Sequence, residues 1–177
     1  MRQLKFLIIL VLIASAFIYL QNHFNFLNIT VTDNEPQKEE KLEQKSDRKD
    51  YVEIYTDEGE NLTVNVELAK TETERRLGLS NRKYLGSYDG MWFMFEEDVS
   101  NSFWMKDCLI PLDIIFVDSS GFIVDIKDNN EPCTEKYCPS ISPSSPYRNV
   151  LEVNANFASN HGIKVGHSIK TYFTEAD

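Results

Sequence analysis

The chain has 177 residues, 42% of them hydrophobic, enough to build one apolar core without metals or several disulfides, so one folded domain is expected. Its 18 lysines and arginines stand against 28 aspartates and glutamates, a formal net charge of -10 at neutral pH. Such a surface repels phosphate backbones and disfavours generic nucleic-acid binding.

Arg2 and Lys5 precede the uncharged run FLIILVLIASAFIYL, residues 6–20. As a helix this run spans roughly 22 Å, short of the roughly 30 Å hydrocarbon core, and Leu4 with a snorkelling Lys5 recovers part of the deficit. It reads either as a signal anchor that is retained or as a signal peptide cut after Ala14, Ser15 and Ala16. The anchor is preferred, because cleavage would leave the apolar FIYL at the mature end. The basic start sets residues 1–5 in the cytoplasm and everything beyond the segment outside. The expected organisation is therefore a cytoplasmic terminus (1–5), a transmembrane helix and its flank (6–27), a polar linker (28–50) and an extracytoplasmic β-domain (51–177). If the segment is cleaved, the domain is secreted.

From residue 51 the pattern becomes β-like. YVEIYT and LTVNVELA, joined by DEGEN, predict a hairpin in which Leu62, Val64, Val66 and Leu68 share one face. TETERRLGLS opens with Thr71 and, three residues on, Glu74, a capping-box spacing, and Gly78 stands where one or two helical turns would stop. GMWFMFEE sets Met91, Phe93 and Phe95 against Trp92 and Met94, a strand buried on both faces. DIIFVD, SSG and FIVDIKD predict a second hairpin; NVLEVNA is a short strand, NFASNHG a helical turn, and HSIKTYF a last strand. The expected fold is mainly β, a compact β-sandwich or barrel with one or two short helices.

The blocks TETERRLGLSNR, GMWFMFEE, SFWMKDCLIPLDIIFVDSSGFIV, PCTEKYCP and VLEVNANFASNHGIKVG, in this order, closely resemble the domain-of-unknown-function 192 family over about residues 62 to 173. The resemblance implies a compact, mostly β domain, often behind an export signal, and brings no established catalytic residue. This chain departs from the family pattern at Cys108, where threonine is usual, near Asn156, where glycine is usual, and at His167, where aspartate is usual.

Residues 101–118, NSFWMKDCLIPLDIIFVD, concentrate the chemically able side chains. Read as a strand, residues 103 to 106 put Phe103 and Met105 on one face and Trp104 and Lys106 on the other, with a turn or bulge over 107–111 before Pro111. An indole beside an ammonium can hold a sugar face or an anion. Asp113 opens the next strand, where it can meet Lys106, Arg75 or Arg82, and the two arginines offer forks for a carboxylate or phosphate. The candidate ligand set is Trp104, Lys106, Asp113, Arg75 and Arg82. The structural alternative is an ordinary sheet edge with surface ion pairs.

Cys133 and Cys138, with four residues between them, are expected to form a structural disulfide outside the membrane, and Cys108 is then a buried small hydrophobe. His23, His161 and His167 show no metal-site spacing, and no nucleophile elbow or phosphate loop occurs, so no metal and no cofactor are expected. Three functions remain open. The first is a membrane-tethered domain binding a polar or anionic ligand such as a glycan, or a surface protein. The second is a hydrolase or transferase using Asp113 with Lys106 or an arginine. The third is a structural accessory subunit.

Overall fold

The computed structural model describes Ser15, Asp50 to Asp57, Gly59 and residues 61–174. The expected segments 1–5 and, apart from Ser15, 6–27, together with most of the linker, lie outside the described residues. Among the described residues no helix is long and apolar enough to cross a membrane.

Seven strands and two short helices follow one another: β1 (Tyr51–Tyr55), β2 (Asn61–Ala69), α1 (Glu72–Leu77), β3 (Asp89–Val99), β4 (Leu112–Val117), β5 (Ile123–Asn130), β6 (Tyr147–Asn154), α2 (Phe157–Asn160) and β7 (Ser168–Tyr172). They form one sheet of order β5-β4-β6-β3-β2-β1-β7. Only the β2–β3 pair is parallel, and α1 lies on its crossover. The expected sandwich or barrel thus takes the form of a single curled sheet. Its two edge strands approach at one end, where the Ile123 N–H donates to His167 O at 2.8 Å and the Ile169 N–H to Gly121 O at 2.7 Å. Gly121 has φ +86°, and a Cβ there would stand 2.8 Å from Ile169 O, so the closure needs glycine.

The sheet buries both of its faces along its central strands. Inside the curl, Val52, Ile54, Val64, Val66, Trp92, Ile115, Leu151 and Val153 pack with Phe157 and Ile169. On the opposite face of β3, β4 and β6, Met91, Phe93, Ile114, Phe116 and Val150 are covered by Leu79, Leu85, Met105 and Cys108 from the connections. This double burial is why β3 and β4 read as nearly continuous apolar runs. Each large apolar side chain withdrawn from water contributes roughly 1.5–3 kcal/mol.

The expected hairpins form, β1 with β2 and β4 with β5. The helix α1 starts with the expected capping box: the Glu74 N–H donates to Thr71 Oγ1 and the Thr71 N–H to Glu74 Oε2. The stretch 101–106, in contrast, is not a strand. It makes two isolated bridges, Phe103 with Ile141 and Lys106 with Cys133, because its neighbours across the gap are loops with no ladder to extend. The alternation of its side chains survives: Met105 is buried and Trp104 is 54% exposed.

Candidate functional site

The site is assembled from α1 and the connection before β4. Phe103 turns inward and meets Phe93 at 5.3 Å and Phe116 at 5.7 Å, both edge to face, which anchors its neighbour Trp104 at the surface. The backbone around it is fully engaged: Phe103 and Ile141 exchange N–H to carbonyl bonds of 2.9 and 2.8 Å, the Asp107 N–H donates to Cys133 O at 2.8 Å, and the Asn81 N–H donates to Asp107 O at 2.7 Å. Ser80 Oγ donates to Lys106 O at 2.9 Å. Asp107 takes the left-handed conformation, φ +58°, so the chain doubles back before Cys108. The Cys133–Cys138 disulfide closes the loop that begins at one of these acceptors, Cys133.

Between α1 and residues 101–104 lies a cleft of about 550 Å³. Its walls include Leu79, Phe93, Phe95 and Phe103, with Arg75 and Trp104 also lining it, along with Cys108 and Glu152. The volume lies in the range of small-molecule sites. Gly78, at the end of α1 with φ +49°, is held against the Phe93 ring, where a Cβ would sit 3.3 Å from the ring edge.

Arg75 is positioned by the chain rather than by an acid. Its Nη1 donates to Met94 O at 2.8 Å and to Lys70 O, and the guanidinium lies 4.8 Å over the Phe95 ring. Among the described residues it has no carboxylate partner, so the rest of its fork is free for an anion. Arg76, by comparison, pairs with Glu72 at 2.6 Å on the exposed side of the helix.

Glu152 is the group that the sequence reading missed. It comes from the middle of β6, opposite Met91 of β3 and Ile114 of β4. It is 5% exposed, and its carboxyl has no hydrogen bond or ion pair with the described residues. Burial pushes its carboxyl up to about 8, so at neutral pH it is largely a neutral acid. Cys108, buried beside it, has its thiol pushed up to about 11, first by burial and then by the charges of Glu152 and Asp107, and it is not a thiolate nucleophile.

The remaining predicted residues are dispersed. Lys106 donates from Nζ to Glu135 O at 2.8 Å and lies 3.1 Å from Asp107. With Lys136, Tyr137 and the far side of Trp104 it lines a second hollow of about 320 Å³. Arg82 pairs with Glu67 outside the main cleft. Asp113 is fully buried and does not meet Lys106, Arg75 or Arg82. Its Oδ1 accepts from the N–H groups of Asn129 at 2.7 Å and Asn156 at 3.0 Å, and its Oδ2 from that of Ala158 at 2.9 Å. It therefore caps α2 from another strand. Trp104 and Arg75 are the members of the predicted set that share the large cleft.

Among the described residues no group of three or more His, Cys, Asp or Glu side chains is placed to hold a metal. His167 is buried, accepts from the Lys164 N–H at Nδ1, and keeps Nε2 3.3 Å from Asp57 without hydrogen-bond geometry.

Several solved structures resemble this one, two of them as follows. A Sinorhizobium meliloti protein described as a "putative transcription regulator" is 32% identical, with 70% of this chain and 94% of that chain covered and a TM-score of 0.66. A protein of unknown function from Novosphingobium aromaticivorans is 32% identical, with 68% and 83% covered and a TM-score of 0.63. No curated protein matches the chain. The sequence pattern of one family, described as "Uncharacterized ACR", matches residues 53–171. The chain belongs to the domain-of-unknown-function 192 family.

Proposed function

We propose that this protein is a membrane-tethered binding domain, held outside the cytoplasm by residues 6–20, that takes a polar or anionic ligand, such as a glycan, or an acidic group of a surface partner. The ligand site is the cleft between α1 and residues 101–104. One observation carries the reading: Arg75 is fixed by two backbone carbonyls and the Phe95 ring, has no acid partner among the described residues, and lines a cleft shared with the exposed Trp104. A guanidinium immobilised in this way has already lost the entropy that binding an anion would otherwise cost. The indole offers a flat apolar face for a sugar or an aromatic ring beside it. Catalysis through Asp113 gains no support, since both of its oxygens are occupied by backbone N–H groups. Nor is regulation of transcription, the description attached to the Sinorhizobium neighbour, carried over: a net charge of -10 opposes contact with nucleic acid.

The reading is tested by a thermal-shift screen of the full chain against neutral and acidic sugars and small carboxylates. Hits are expected among the anions, with affinity reduced about tenfold or more in Arg75→Gln and in Trp104→Ala, both still folded. Ligands that bind the two variants as tightly as the wild type would remove the cleft from consideration.

A further inference from the structure

Glu152 and Arg75 line the same cleft from different places along β3. Arg75 lies over Phe95, whereas Glu152 stands opposite Met91, four residues earlier on the same face of the strand. At about 3.3 Å per residue that is roughly 13 Å along the strand, with Phe93 between the two points. The cleft therefore carries a cation near one end, an apolar middle built of Phe93, Phe103 and Leu79, and a buried carboxyl near the other.

Resting on the binding reading above, we propose that the cleft selects small monocarboxylates that carry a hydrogen-bond acceptor, a carbonyl or hydroxyl, across an apolar ring-sized body. The carboxylate is held by Arg75, and the acceptor takes a hydrogen bond from the Glu152 carboxyl. Three observations carry this. Glu152 is buried, lines the cleft, and its carboxyl has no hydrogen-bond partner among the described residues, so its O–H is available to a ligand. A donor that faces a cleft without a protein partner favours a ligand that supplies an acceptor over one that does not. Finally, a single unpaired guanidinium suits a monoanion, since Arg76, the other guanidinium that lines the cleft, is already paired with Glu72.

The preference follows the proton on Glu152. Met91 and Ile114 flank it on the neighbouring strands, Cys108 of the loop before β4 feels its charge and that of Asp107, and Arg75, Glu72 and Arg76 line the same cleft from α1. Burial pushes the Cys108 thiol up to about 11 and the Glu152 carboxyl up to about 8, so of the two it is Glu152 that changes charge nearer to neutral pH.

Calorimetric titration of the full chain with 3-(4-acetylphenyl)propanoate, its isopropyl analogue and its aminomethyl analogue tests this. The ketone is expected to bind about tenfold tighter than the isopropyl compound at neutral pH, a margin that fades above about pH 8. In Glu152→Gln, which keeps a donor, the margin is expected to persist without that fade. Equal affinity of ketone and isopropyl compounds, both weakened by Arg75→Gln, would overturn this selectivity while leaving anion binding at the cleft standing. Tighter binding of the aminomethyl compound would overturn it too, by showing that Glu152 acts as an anion. No binding by any of the three would also overturn it, and the broader screen would then decide the fate of the cleft separately.

Discussion

Asp113 of β4 and Glu152 of β6 lie on adjacent central strands yet serve opposite faces of the sheet. Asp113 pairs in register with Val153, a residue of the inner core, while Glu152 pairs with Ile114, a residue of the outer cluster. Directly opposed residues of an antiparallel pair share a face, so a one-residue offset separates a structural carboxylate from one that reaches the cleft.

Replacing Asp113 with alanine strands three N–H donors, those of Asn129, Asn156 and Ala158, and removes the cap of α2. The expected loss is about 3–5 kcal/mol of folding stability, read as a lower urea midpoint, with Asp113→Asn less damaging because it keeps one acceptor oxygen. A change below about 1 kcal/mol would contradict the capping role.

Glu152 is expected to make stability depend on pH. Its carboxyl would titrate near 4.5 in an ordinary environment and titrates at about 8 in the fold. The native state thus binds the extra proton between those values: the stabilisation is complete below about 4.5, declines as pH rises, and is gone above about 8. Glu152→Gln should flatten this decline, on the order of a few kcal/mol, and be more stable than the wild type near pH 8. Parallel stability curves for the two proteins would show that Glu152 is not buried as described.

Much of the fold is legible in the residues. Val64 and Val66 alternate with polar neighbours in β2, the β3 run is apolar at every step, and Thr71 with Glu74 announces α1. The site is less so. A lone glutamate in NVLEVNA normally faces water, and what buries Glu152 is the insertion of β6 between β3 and β4 beneath a covering loop, which is a matter of strand order rather than local pattern. The same holds for Asp113. Its position at the start of a strand after Pro111 suggested a partner among Lys106 and the arginines, but the pleat turns it to the other face, toward α2.

The proposed placement outside the cytoplasm draws on the basic start and apolar run of the N-terminal sequence, and the Cys133–Cys138 disulfide suits an oxidising compartment. Added protease should digest the domain on intact cells of a host stripped of any outer barrier. Alkylation before reduction should label Cys108 alone, and only after unfolding, because it is the buried free thiol. Protection until lysis, with all three cysteines reactive, would set the domain in the cytoplasm.

The chain has two tryptophans, Trp104 in the cleft and Trp92 in the core, so their indole N–H resonances report the two places separately during titration with an anion from the screen. The expected result is a saturable shift of the Trp104 resonance, with Trp92 unmoved and the response abolished in Arg75→Gln. A tight-binding anion that leaves Trp104 still, or that moves it equally in Arg75→Gln, would contradict the assignment of this cleft as the binding site.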